Sequence, residues 1–199
     1  MGKILLFNKW DSSEVKVEDP GLKRYINLKA VVVPRSGGKF AKRPFQKDKV
    51  NIVERFINKL MVPGHRGKKH KLTSGQCAGN TQRLYNEVKK AFEIIEKKTK
   101  KNPLQVLVKA IENAALYEEI TSYRMGGIIA RKAVVTSPQR RLNTALRLLA
   151  QGIYANKFKN KKPLAEVIAD EIILAYNNDS KCFAIKERIR IEKEAEGAR

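Results

Sequence analysis

The chain has 199 residues, 42 Lys and Arg against 20 Asp and Glu, a formal net charge of +22 and 42% hydrophobic residues. That apolar content suits one folded domain and excludes a wholly disordered basic tail, while the charge calls for a polyanionic partner, nucleic acid first and an anionic membrane surface second. No run approaches the about 20 apolar residues of a membrane span, and Ile4-Leu5-Leu6-Phe7 is shorter than the about 7–15 residues of a signal h-region, so a cytoplasmic protein is expected.

Residues 1–47 lack helical periodicity and hold Pro20, Pro34, Pro44 and the Ser36-Gly37-Gly38 turn. This pattern predicts an extended basic N-terminal arm with a short strand at 30–33 and little core of its own, lying along a partner or across the helical body and ordering on binding. From Asp48, read as an N-cap, Val53, Phe56, Ile57, Leu60 and Met61 recur at helical spacing up to the Pro63-Gly64 stop. A basic loop to about residue 80 precedes a second helix with Tyr85, Val88, Phe92 and Ile95 as its apolar stripe. Lys97, Lys98, Lys100 and Lys101 end that helix, where they oppose the negative end of its dipole.

Asn102-Pro103 opens a third helix with Leu104, Leu107, Val108, Ile111 and Ala115 buried. The periodicity then changes: 120–125 and 128–135 flank Gly126-Gly127 and predict a β-hairpin at about 119–136. Ser137-Pro138 starts a fourth helix with Leu142, Ala145, Leu146, Leu149 and Ile153 inward; a fifth runs from Pro163 to Tyr176 and a sixth from Ser180. The expected fold is therefore mainly α, about six helices in a bundle over 48–199, with an inserted hairpin arm and the extended N-terminal arm.

The basic residues are not evenly spread. Three windows contain no acid: between Asp19 and Asp48, between Glu54 and Glu87, and between Glu119 and Glu166. They hold 25 of the 42 bases, which marks a nucleic-acid face, because such a face excludes carboxylates whereas an ordinary surface mixes both signs. Arg140 and Arg141 fall in the first turn of the fourth helix, where each opposes the dipole at about 0.3–1 kcal/mol. A phosphate bound at the free N–H groups and both guanidinium groups would offset that. Arg124, Arg131 and Lys132 decorate the hairpin without an acid beside them.

Catalytic constellations are missing from the sequence. Gly64-His-Arg-Gly67-Lys68-Lys69 has the wrong spacing for a phosphate loop and no Ser or Thr after the lysine. His65, His70 and Cys77 lack zinc-ligand spacing, and Cys77 and Cys182 are too few for a disulfide framework. No GxSxG or GxGxxG occurs, and Asp170-Glu171 and Glu118-Glu119 read as solvated neighbours rather than acid/base pairs. Leu6 stands where a myristoylation motif needs Ser or Thr. No enzyme, cofactor, metal or homo-oligomer is expected.

Several segments in order resemble the small-subunit ribosomal protein seven family. They are Val53-Glu-Arg-Phe-Ile-Asn-Lys-Leu-Met61 with Gly67-Lys68-Lys69, Ala91-Phe-Glu-Ile-Ile95, and Asn102-Pro-Leu-Gln-Val-Leu-Val-Lys-Ala-Ile-Glu-Asn113. The Gly126-Gly127 hairpin, Ser137-Pro-Gln-Arg-Arg141, Asn178-Asp-Ser180 and Phe183-Ala-Ile-Lys186 follow. Asp19-Pro-Gly-Leu-Lys-Arg-Tyr-Ile26 in a long arm is similar to the archaeal and eukaryotic branch. The resemblance implies a ribonucleoprotein component in translation. It would bind the 3′ major (head) domain of small-subunit rRNA and help nucleate head assembly. Its hairpin would lie near the E-site tRNA and the exiting mRNA, beside neighbouring small-subunit proteins.

Implied rRNA contacts are Arg35, Lys39, Lys42, Arg43, Arg66, Lys68, Lys69, Lys71, Arg124, Arg131, Lys132, Arg140 and Arg141; Met125, Gly126, Gly127 and Arg199 would be near tRNA and mRNA. The sequence departs from the family at Leu116-Tyr117, where Pro-Arg is usual, and at Val135-Thr136, where an acidic residue is usual; the 70–83 loop is longer than in many members. The rival reading is an architectural DNA-binding protein whose basic β-arm carries Met125 and Ile128 as an apolar wedge.

Overall fold

Asparagine opens three of the long helices, and its short amide fixes where each begins. A computed structural model of the chain describes residues 4–42, 44–63 and 80–199. In it Asn51 Oδ1 accepts from Val53 N (2.9 Å), Asn80 Oδ1 from Arg83 N (2.8 Å) and Asn102 Oδ1 from Leu104 N (3.0 Å). Each supplies an acceptor for a backbone donor that the first turn leaves unpaired.

The elements in chain order are α1 (Pro20–Lys23), a 3-10 turn (Gln46–Lys49), α2 (Ile52–Met61), α3 (Thr81–Thr99) and α4 (Pro103–Ala114). There follow β1 (Glu118–Met125), β2 (Ile128–Val135), α5 (Pro138–Lys157), α6 (Leu164–Tyr176) and α7 (Phe183–Glu196). The six long helices and the hairpin are those the periodicity predicts; the four-residue α1, capped by Asp19 through Gly21 N (2.8 Å), is additional. Two start points differ from the sequence reading. Asp48 lies in the 3-10 turn, and Asn51 holds the cap instead. The last helix begins at Phe183, not Ser180, because Asp179 and Ser180 belong to the preceding turn.

Helix α5 is the spine. It packs against α1, α2, α4, α6 and α7, burying Leu142, Ala145, Leu146, Leu149 and Ile153 on the stripe expected of them. Phe56, Phe92, Leu104, Leu107 and Ile111 from α2–α4 complete the interior. Apolar burial at about 25 cal/mol per Å² drives this association, and close packing fixes its geometry.

The N-terminal segment does more than lie across this body. Leu6, Phe7, Trp10, Val15, Leu22 and Ile26 are buried in the same core. Phe7 meets Trp10, Tyr85 and Phe92 edge-on at centroid distances of 5.9, 4.8 and 6.0 Å. The backbone is tied to α4: Glu112 Oε1 accepts from Glu18 N (2.8 Å) and Asp19 N (3.0 Å), and Gln105 pairs with both polar groups of Lys16. No strand forms at 30–33; Phe7 N donates to Val32 O (2.9 Å), so the segment pairs with the arm itself. The described residues between 32 and 49 are mostly exposed.

The hairpin pairs antiparallel from Glu118↔Val135 at its base to Met125↔Ile128 at its tip. Gly126 (φ 53°) and Gly127 (φ 90°) both take the left-handed conformation that a two-residue hairpin turn requires, which a side chain would strain. Its base packs on α7, and its outer half is exposed on both faces. Among the described residues no helix is long and apolar enough to cross a membrane.

Candidate nucleic-acid interface

Lys59, on the last full turn of α2, lies among positive charges. Partial burial lowers the pKa of its amine, and Lys47, Arg147 and Arg55 lower it further. Arg55 stands one turn earlier, buried, with Nη1 donating to Tyr25 O (3.1 Å) and Nη2 to Asn143 Oδ1 (2.9 Å). Desolvation lowers the Arg55 pKa, and Asp48 opposes that shift. Three elements, the 3-10 turn, α2 and α5, thus bring four cations to one region.

A groove of about 610 Å³ opens there, walled by the 35–50 segment on one side and by α2 and α5 on the other. Arg35, Lys47, Arg55 and Lys59 line it. A second hollow of about 290 Å³, between Lys59 and the start of α5, is lined by Ser137, Arg140, Asn143 and Arg147. Lys59 and Asn143 belong to both, so the two join into one basic face. Its wall is tied to α2 and α5: Glu54 Oε1 accepts from Ser36 N (2.9 Å) and Ser36 Oγ (2.6 Å), and Gln139 Nε2 donates to Asp48 Oδ1 (3.2 Å). The Glu54 carboxylate is occupied in shaping the turn that carries Arg35 and Lys39. Such a surface can bind a chain of phosphates, since its cations are held apart by structure and a polyanion relieves their repulsion.

The residues singled out in the sequence fall into several places. Arg35 lines the groove, and Lys39 and Lys42 are exposed on its 35–50 wall. Arg140 is exposed and pairs with Glu119 through Nη2 to Oε2 (2.8 Å). Arg141 is turned inward. Its Nη2 donates to Asp19 Oδ2 (2.7 Å), its Nε to Leu116 O (3.0 Å), and the Tyr117 ring covers its Cζ at 4.4 Å. The expectation that the two arginines act together on one phosphate is therefore corrected: consecutive helical residues point about 100° apart, and Arg141 joins α1 to α5.

On the hairpin, Ser122↔Arg131 and Arg124↔Ile129 put Arg124 and Arg131 on one ribbon face, and Thr121↔Lys132 puts Lys132 on the other. Met125, Gly126 and Gly127 form the tip, whereas Arg199 grips Glu118 at the base with bonds of 2.6 and 2.7 Å. Seven residues at about 3.3 Å each separate the ends, about 23 Å, so these four are not one cluster. Arg43, Arg66, Lys68, Lys69, Lys71, His65, His70 and Cys77 lie outside the described residues.

Lys47, Arg55, Lys59 and Arg147 are the groove cations the motif reading passed over. All four stand in or at the edge of acid-free windows, and projecting Arg140, Asn143 and Arg147 onto one helix face would have found the α5 part.

A sequence profile of the family described as Ribosomal protein S7p/S5e matches residues 22–199. The chain belongs to this family. It is similar to "Small ribosomal subunit protein uS7" of Nanoarchaeum equitans (strain Kin4-M), 50% identical over 99% of the chain and 100% of that protein. The protein of the same name from Archaeoglobus fulgidus is 48% identical over 99% of the chain and 96% of its own length.

Ribosomal proteins of the S7p/S5e family are structural, not enzymatic. Glu171 accepts from Phe183 N (2.9 Å), Asn156 Nδ2 (2.9 Å) and the Cys182 thiol (3.2 Å). Burial pushes its pKa up and that of Cys182 up to about 12. These contacts hold α6 to the start of α7 and to the last turn of α5. Its neighbour Asp170 is outside, paired with Lys98 at 2.6 Å. The described residues contain no cluster of three His, Cys, Asp or Glu suited to a metal ion.

Proposed function

We propose that this member of the S7p/S5e family is a cytoplasmic structural constituent of the small ribosomal subunit that binds the head domain of small-subunit rRNA and helps nucleate its folding. The groove between the 35–50 segment, α2 and α5 takes the RNA backbone. The observation that carries this reading is the convergence of Lys47, Arg55, Lys59 and Arg147 on two hollows that share Lys59 and Asn143.

A-form RNA hides its major-groove edges, so a basic groove reads backbone geometry and junctions instead of base pairs. Phosphates entering it release counterions, and Arg35 and Arg147 offer planar forks for paired phosphate oxygens. Arg140 exchanges Glu119 for phosphate, because an exposed ion pair is worth only about 0–1 kcal/mol. The hairpin, exposed on both faces beyond its base, reaches toward the E-site tRNA and the exiting mRNA with neighbouring small-subunit proteins beside it.

The test is titration of the full chain into transcribed head-domain rRNA with excess tRNA and duplex DNA as competitors. One-to-one binding that survives both supports the assignment. Binding erased equally by both leaves a generic polycation and returns the architectural DNA reading, with Met125 and Ile128 as its wedge, to first place.

A further inference from the structure

We propose that Phe45 is a stacking platform for an unpaired RNA base whose backbone enters the adjoining groove, an inference that rests on the RNA-binding role above. Phe45 is 81% exposed, more than any other aromatic among the described residues, and it is the only exposed large apolar side chain between Val33 and Val62. Its backbone is left-handed (φ 59°, ψ 9°), a conformation in which Gly or Asn would form the same turn with less strain. One residue therefore carries two unfavourable features, exposed ring and strained backbone, with no ring partner or core contact among the described residues to offset them.

The surroundings identify the partner. Exposed Lys39, Lys42, Lys47 and Lys49 lie on either side of Phe45 in the sequence, and no acid occurs between Asp19 and Asp48. A protein-docking surface would be a contiguous apolar patch, which a single ring among lysines is not. An aromatic disc interleaved with cations is what an unstacked base on an anionic backbone requires, its face meeting the ring while the lysines meet phosphates. The turn that presents the ring is anchored by hydrogen bonds. The 3-10 turn it opens closes through Val50 N to Lys47 O (3.1 Å), and Asn27 Nδ2 holds Lys49 O (2.6 Å). Lys47, two residues on, lines the groove.

The experiment compares the full chain with Phe45→Ala, Phe45→Leu and Phe45→Trp on transcribed head-domain rRNA, on a single-stranded oligouridylate and on an RNA duplex. Phe45→Ala is expected to weaken head-domain and oligouridylate binding by about 5- to 150-fold, the effect of losing one base stack, while duplex binding and the salt slope stay as they were. Phe45→Trp restores affinity and Phe45→Leu does not, because stacking needs a π face. Unchanged affinity in Phe45→Ala, full rescue by Leu, or an equal loss on duplex would overturn the inference, the Leu rescue pointing to an apolar protein contact. Failure of the functional reading is separate: there the unsubstituted chain itself loses head-domain binding to competitors, and the oligouridylate arm still reports on Phe45.

Discussion

Arg140 and Arg141 are neighbours in sequence with opposite expected roles, and substituting each by Ala separates them. Removing the Arg141 side chain strips Asp19 of a 2.7 Å charge-assisted partner, leaves Leu116 O without its 3.0 Å donor and uncovers the Tyr117 ring. Breaking a buried ion pair from one side destabilises by about 3–5 kcal/mol. Asp19 is one-fifth exposed and keeps Gly21 N, so the lower end applies. About 3 kcal/mol in a domain of this size lowers Tm by about 6–12 °C. Arg140→Ala removes only an exposed pair, worth about 0–1 kcal/mol, and lowers Tm by about 4 °C at most. Thermal unfolding of both variants, followed by rRNA titration across salt, makes the comparison. The salt slope should fall by about 0.7–0.9 for Arg140→Ala and stay unchanged for refolded Arg141→Ala. A stable Arg141→Ala with a reduced slope would refute this assignment and place that guanidinium on phosphate.

Three further outcomes follow from the geometry. A Cβ added at Gly152 would stand 2.6 Å from Glu171 Oε1 and 2.8 Å from Phe183 Cβ, so Gly152→Ala should destabilise by about 1–3 kcal/mol despite the better helix former; a raised Tm would count against it. Glu171 has its pKa raised by burial, so its contribution to stability is fully present below about 4.5 and is lost as pH rises through the folded value. Urea unfolding of Glu171→Gln should therefore show less loss of stability than the unsubstituted chain over that rise, and parallel curves would contradict it. Lys59 is the opposite case: its lowered pKa means that the charged amine destabilises the free fold, an effect that disappears as pH approaches 10.5. Lys59→Met should raise Tm at neutral pH while weakening RNA binding, and a Tm that falls would argue against the cation cluster.

Periodic elements were legible in the sequence because each carries its own repeat. The apolar stripes of α2–α6 appear at helical spacing, and two glycines between alternating runs specify the hairpin turn. The N-terminal segment has no repeat: Leu6, Phe7, Trp10, Val15, Leu22 and Ile26 are core residues at irregular intervals, held by side chains about 90 residues away in sequence such as Gln105 and Glu112. Charge position was legible to the level of the window and not of the residue. Acid-free runs located Lys47, Lys59 and Arg147, yet only folding shows that these share a groove. Arg141, in the same run as Arg140, meets an aspartate 122 residues earlier, and nothing local in the sequence announces that pair.

The central claim, that the groove of the 35–50 segment, α2 and α5 holds the rRNA backbone, is tested most directly by the salt dependence of head-domain binding in a Lys47→Ala, Lys59→Ala, Arg147→Ala triple variant. Lys47 and Arg147 are exposed and Lys59 is only partly buried, so the fold should survive, which thermal unfolding checks. The account predicts weaker binding with the logarithmic salt slope reduced by about 2–3, one phosphate contact for each cation removed. Affinity and slope equal to those of the unsubstituted chain would mean that the RNA lies elsewhere on the protein.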